Sequence, residues 1–182
     1  MTGRAAELER KTRETDVSVK LNIDGSGKFN VECDIQFLKH MVETFARYGS
    51  FDISMKATGD NEHHLIEDIA ISLGMAFKRA LDGTPVVRMD TAIIPMDDAL
   101  VMVSVDMVDR PYAEVDCPDK IYAHFLRSFA MSSGITLHVV QMRGFDEHHI
   151  IEASFKALGT ALKNACLPRK TELSTKDKPK VK

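Results

Sequence analysis

The chain repeats itself, and this duplication limits what it can fold into more than any other feature. Met55-Lys56-Ala57-Thr58-Gly59 leads into His63-His64-Leu65-Ile66-Glu67, and 85 positions later Val140-Gln141-Met142-Arg143-Gly144 leads into His148-His149-Ile150-Ile151-Glu152. Downstream, Leu73-Gly74-Met75-Ala76-Phe77-Lys78-Arg79-Ala80 matches Leu158-Gly159-Thr160-Ala161-Leu162-Lys163-Asn164-Ala165 at the same offset. A double histidine, a glutamate and two glycines at one spacing mark two copies of one supersecondary unit. In the first copy, FLKHMVETFARYG places Phe37, Met41, Phe45 and Tyr48 at helical spacing, with Gly49 as the stop. FDISMKATG then reads as a strand, and a helix runs from the histidine pair to Leu81 after the loop Asp60-Asn61-Glu62. The second copy gives YAHFLRSFAMSSG as helix, ITLHVVQMRG as strand, Phe145-Asp146-Glu147 as loop and His148 to Cys166 as helix.

Further strands flank these units. Thr15 to Leu21 alternates before a reversal at Asp24-Gly25-Ser26-Gly27, which predicts a hairpin with Lys28 to Cys33. Thr91 to Ile94 and Ala99 to Asp106 form another strand pair around Pro95-Met96-Asp97-Asp98. The expected fold is α+β: an internal duplication of a small α/β unit, with helices on one face of each sheet. Residues 1–83 form the first half, 84–168 the second and 169–182 a basic tail, with a join near Asp82-Gly83-Thr84-Pro85 too short for a flexible linker.

With 24 basic and 27 acidic side chains, the chain offers no general electrostatic reason to bind nucleic acid or an anionic membrane. Cys33, Cys117 and Cys166 are widely spaced, and the N-terminus lacks the apolar run of a secretion signal. Both features predict reduced thiols and a cytoplasmic location.

Four of the seven histidines lie in the two HH pairs. His63 and Glu67 stand four apart, as do His148 and Glu152, so each pair shares a helix face, while His64 joins from the edge. Histidine with carboxylate and no thiolate suits a divalent ion such as Mn²⁺, Fe²⁺, Co²⁺ or Zn²⁺. The two histidines of a pair point to different sides of the helix start, which favours two ions over one. Each site then lacks a further histidine, and His40 and His138, one per copy, are the candidates. The short acidic loop offers carboxylates to orient the ligands. His124 shows no repeat partner and is read as structural or exposed. Arg88, Arg110, Arg127 and Lys156 are scattered singly, and spacing alone does not bring them together.

The motifs together resemble the imidazoleglycerol-phosphate dehydratases over nearly the whole chain. They comprise Arg10-Lys11-Thr12-Arg13-Glu14-Thr15, Leu21 to Lys28, Phe37-Leu38-Lys39-His40-Met41, HHLIED from His63 and PMDDAL from Pro95. Asp106 to Pro111, Thr136-Leu137-His138 and the run from His148 to Ala157 complete them. The resemblance implies two four-stranded sheets each backed by helices, of the ribosomal protein S5 domain 2-like type. It further implies trimers assembling into a 24-subunit shell, with active sites between subunits around two manganese ions. His40, His63, His64, Glu67, His138, His148, His149 and Glu152 match its metal-ligand positions, and Glu14 its catalytic glutamate. Arg88, Arg110 and Lys156 match phosphate-holding positions, and Ser174 and Lys176 the Ser-x-Lys of a tail that closes the site. Lys39, Tyr48, Leu65, Asp109, Ala123 and Asp177 depart from the family pattern.

The implied reaction removes water from imidazole glycerol phosphate to give imidazole acetol phosphate, a hydro-lyase step of histidine biosynthesis. Cations on both ring nitrogens favour imidazolate, so the metals of such a site act as Lewis acids and as a template. A non-catalytic, metal-built assembly protein of the same fold is the alternative. It would keep the HH-x-x-E pairs but has no use for Glu14, the arginines and the tail.

Overall fold

The computed structural model describes residues 3–171 and 173. Among these, the first half forms β1 (Ala5–Lys11), β2 (Thr15–Asn22), β3 (Phe29–Cys33), α1 (Gln36–Gly49), β4 (Asp52–Gly59) and α2 (Glu62–Leu81). The second half repeats this order as β5 (Met89–Met96), β6 (Ala99–Asp106), β7 (Tyr112–Val115), α3 (Lys120–Ser133), β8 (Thr136–Arg143) and α4 (Glu147–Ala165). The sheets have equivalent orders, β1-β2-β4-β3 and β5-β6-β8-β7. In each, the first three strands are antiparallel and the last runs parallel to its neighbour.

The expected hairpin between β2 and β3 does not form. β4 inserts between them, antiparallel to β2 and parallel to β3. The Gly-rich reversal is held instead by Asp52, whose Oδ1 accepts the backbone N–H groups of Ser26 at 2.8 Å and Lys28 at 2.9 Å. A turn fastened by a carboxylate at the start of β4 has the composition of a hairpin without its ladder.

Alternation along the strands turns one face of each sheet inward. Val17, Val19 and Leu21 of β2 are buried, as are Val101, Val103 and Val105 of β6. Helices α1 and α2 cover the first sheet and α3 and α4 the second. The helices also meet each other, α1 against α4 and α2 against α3, giving a sheet–helix–helix–sheet sandwich around one core. The repeated Leu-Gly of the sequence marks these crossings. A Cβ on Gly74 would stand 2.7 Å from the Phe129 carbonyl oxygen of α3, and one on Gly159 would stand 2.8 Å from that of Phe45 on α1. Glycine is required because the helix backbones touch there. Each crossing joins the later parts of both helices. The helix starts also meet, so the paired helices run in the same direction and present their N-terminal turns together.

Candidate metal centre

Capping determines where the histidines stand. The Asn61 side chain accepts the His64 N–H at 3.0 Å, and Asp146 accepts that of His148 at 2.8 Å. Helices α2 and α4 therefore begin at the HH pairs. One turn later come Glu67 and Glu152. The parallel helix pairs then supply the fifth residue of the neighbouring helix, His124 from α3 and His40 from α1.

Two equivalent triads result. His124 Nε2 lies 3.2 Å from Glu67 Oε1, and ligand atoms of His63, Glu67 and His124 all fall within 4.8 Å of one another. His40 Nε2 and His148 Nε2 each lie 3.4 Å from Glu152 Oε2. The fit to a cation is clearest at His124, whose buried Nε2 has no hydrogen-bond partner among the described residues although a carboxylate stands beside it. A buried ring nitrogen beside a carboxylate oxygen, with no hydrogen bond between them, is an arrangement that an intervening divalent ion would satisfy. Glu152 is itself buried, which raises its pKa, but Lys156 and His40 outweigh burial and hold the carboxyl below its ordinary value.

His138 does not join either triad. Leu137 and Val139 point into the core, so the alternation of β8 puts His138 on the outer sheet face, where its ring lies 5.6 Å from that of Tyr112. His124, read from sequence as structural, occupies the place equivalent to His40.

His64 and His149 also form an equivalent pair, but they turn away from the triads toward carboxylates. His64 Nδ1 lies 3.0 Å from Asp60 Oδ1, and His149 Nδ1 lies 2.6 Å from Asp98 Oδ1. These hydrogen bonds raise the pKa of each histidine. His149 Nε2 lies 3.3 Å from Asp97 Oδ2, so this imidazole stands between two carboxylates.

The proposed phosphate residues are dispersed. Arg88 stands at φ +82°, strained for a residue with a side chain. Its Nε and Nη2 donate to Asp106 at 2.6 and 2.8 Å, and its Nη1 donates to the Leu173 carbonyl at 2.8 Å. Arg110 is exposed beside Asp109, which takes a left-handed φ of +53° and pairs with Lys78 at 2.5 Å. Lys156 is committed to the second triad, 2.9 Å from Glu152 Oε1, with Nζ 5.5 Å from the centroid of the Tyr48 ring. Tyr48 thus gives this ammonium an aromatic face. Lys39 lies 4.0 Å from Glu43, one turn along its own helix. Glu14 is exposed at the β1–β2 turn. Ser174, Lys176 and Asp177 lie outside the described residues.

Comparison with known proteins places the chain in a family. The family model for imidazoleglycerol-phosphate dehydratase matches residues 33–162. A protein of that name from Thermoanaerobacter pseudethanolicus is 48% identical over 176 residues, covering 89% of this chain and 91% of the relative. Its counterpart from Methanocella arvoryzae is 43% identical over 176 residues, with coverage of 89% and 91%. The crystal structure of IGPD from Pyrococcus furiosus in complex with (S)-C348 superposes with a TM-score of 0.82 at 38% identity, covering 92% of this chain and 98% of that one. The Staphylococcus aureus enzyme gives 0.81 at 27% identity, covering 91% and 99%. The chain belongs to the imidazoleglycerol-phosphate dehydratase family.

Proposed function

We infer that this chain dehydrates imidazole glycerol phosphate to imidazole acetol phosphate, the hydro-lyase reaction its family is named for, and that its triads hold two divalent ions, manganese by preference. The observation carrying this reading is the pair of equivalent His/His/Glu triads, one with a buried imidazole nitrogen that lacks a hydrogen-bond partner. When bound, such ions supply Lewis acidity toward both nitrogens of an imidazole ring.

The chain's own residues supply the rest. The Glu14 carboxylate takes the proton from the middle carbon of the side chain, the one whose hydroxyl oxygen becomes the ketone oxygen. The C–O bond at the carbon attached to the ring breaks, and the hydroxyl leaves as water with one proton to balance the one removed. The enol becomes the ketone when the ring-attached carbon takes up its proton. Arg88, Arg110 and Lys156 grip the phosphate and spend its binding energy on orientation. His64 and His149 face away from the triads of their own chain, which supports ligation of ions held by neighbouring copies in a trimer-based 24-subunit shell. The contact between Arg88 and the Leu173 carbonyl brings the start of the 169–182 segment to a phosphate residue. This supports closure of that segment over the substrate by Ser174 and Lys176. No helix among the described residues is long and apolar enough to cross a membrane.

The test is incubation of purified, manganese-loaded protein with imidazole glycerol phosphate. Imidazole acetol phosphate should accumulate in proportion to enzyme, and its absence at full metal loading would refute the reading.

A further inference from the structure

Asp68 is a buried carboxylate that the proposed chemistry does not use. It follows Glu67 on α2, but its side chain points to the first sheet. It accepts the hydroxyl hydrogen of buried Thr15 and lies 2.5 Å from Arg10 Nη1. The Thr15 hydroxyl is in turn 3.1 Å from that of Thr12. Thr12 Oγ1 accepts the backbone N–H groups of Glu14 at 3.1 Å and Thr15 at 3.0 Å, and the Glu14 carbonyl accepts the Asp60 N–H at 2.9 Å. A continuous polar chain thus runs from Asp68 through two hydroxyls to the backbone that carries Glu14, and it uses Arg10, Thr12 and Thr15 of the N-terminal motif.

The second half of the molecule provides an internal control. By strand register and helix offset, Arg10, Thr15 and Asp68 correspond to Ile94, Ala99 and Ala153. Those three are apolar, with Ala99 and Ala153 buried, so the fold forms without the network. Burying a charged group with hydroxyl partners gains little stability over an apolar filling. The turn residue equivalent to Glu14 is Asp98, which is used up by the backbone N–H groups of Phe145 and Asp146 and by His149. In the first half Asp60 holds the corresponding histidine, and no described side chain hydrogen-bonds the Glu14 carboxylate. The polar network occurs where a turn carboxylate has been left free.

We propose that Asp68 is a positioning residue for Glu14, fixing the Thr12–Thr15 turn through Thr15, Thr12 and Arg10 so that the carboxylate is presented at one place relative to the metal-bearing helix. The proposal rests on the assignment of Glu14 as the base. A shift of about an ångström in such a group can cost roughly a hundredfold in rate.

The test compares D68N, T15V, T15S, E14Q and D68N/E14Q in the manganese-loaded full chain, measuring kcat, KM and bound metal. D68N and T15V should each lower kcat about tenfold or more while KM and metal content stay within about twofold. T15S, which restores the hydroxyl, should recover most of what T15V loses. In the E14Q background, D68N should cause no further loss, because a residue acting through Glu14 has nothing left to position. An undiminished kcat in D68N and T15V would overturn the proposal. So would losses that add to those of E14Q, or losses that follow metal content. A parent-like rate in E14Q would instead overturn the assignment of the base. Where D68N fails to fold, the Thr15 pair gives the answer alone.

Discussion

Replacing Gly159 by alanine links the packing to the site. The new methyl would lie 2.8 Å from the Phe45 carbonyl oxygen and 2.9 Å from the Gly49 nitrogen, both backbone atoms of α1. Helix propensity alone favours alanine by about 1 kcal/mol. Opposing it, overpacking in a closed interior costs about 1–3 kcal/mol, and because the obstacle here is backbone and cannot rotate aside, the upper part of that range, about 2–3 kcal/mol, applies. Restoring ordinary contact needs a retreat of α1 by roughly half an ångström. α1 carries His40 and α4 carries Glu152, now 3.4 Å apart, so that movement also loosens the second triad. A net loss of about 1–2 kcal/mol corresponds to a fall in Tm of roughly 2–8 °C for a domain of this size. Calorimetry on metal-free protein isolates the packing term, and a manganese titration of the same variant reads the triad. Gly74→Ala should behave alike at the α2–α3 crossing. An unchanged or raised Tm in Gly159→Ala would show that propensity wins and that the helices do not touch as described.

Asp106→Asn, which weakens the bidentate hold on strained Arg88, should lower kcat/KM about tenfold, equivalent to ~1.4 kcal/mol; equal steady-state constants would remove Arg88 from the phosphate site. If the proposed shell shares metal ligands between copies, prolonged chelation should reduce particle size, because assembly would then depend on metal. Light scattering that gives one particle size with and without chelator would refute this. The carboxyl of Asp52 is held below its ordinary value by the backbone N–H groups of Ser26 and Lys28, and that of Asp24 by the Arg4 guanidinium. Depressed folded-state values give stability that is fully present above about pH 4 and is lost as pH falls through them. Asp52→Asn should therefore flatten the acid limb of the denaturation midpoint against pH, and an identical limb would refute the linkage. Deleting the residues after Thr171 should preserve metal content yet lower kcat/KM at least about tenfold, and parent-like activity at low substrate would make the segment a solubilising end.

Much of the architecture could be read from the chain because burial forces periodicity. Helices α1 to α4 and strands β4 to β6 and β8 each show their inward stripe. β1 and β7 escaped for the same physical reason in reverse. Each is an edge strand with one strongly buried side chain, Leu8 or Ala113, so neither alternates visibly. The β2–β3 hairpin was expected because turn composition reports a reversal, not the strand across from it.

The exchange of His138 for His124 has a more specific cause. Between the halves the offset is 85 residues for α2 and α4 but 84 for α1 and α3, because the β6–β8 pairing shifts register between Leu100 and Val101 and takes one extra residue into β8. At a fixed 85, His40 aligns with Phe125, and His124 appears unpaired. Counted from helix starts, both are fifth residues, facing Glu152 and Glu67. A bulge in a sheet thus hid the equivalence of two histidines on helices. The equivalence had to be measured element by element, and the same measure separates what both halves need from what one half has kept. Both retain the glycine crossings and the His/His/Glu triads. Only the first buries Thr15 and Asp68 behind its turn, with Arg10 beside them, and leaves the Glu14 carboxylate without a hydrogen bond from any described side chain. Duplication supplied two similar His/His/Glu triads, and the halves diverge at three positions behind the turn, which are Arg10, Thr15 and Asp68 in the first half and Ile94, Ala99 and Ala153 in the second.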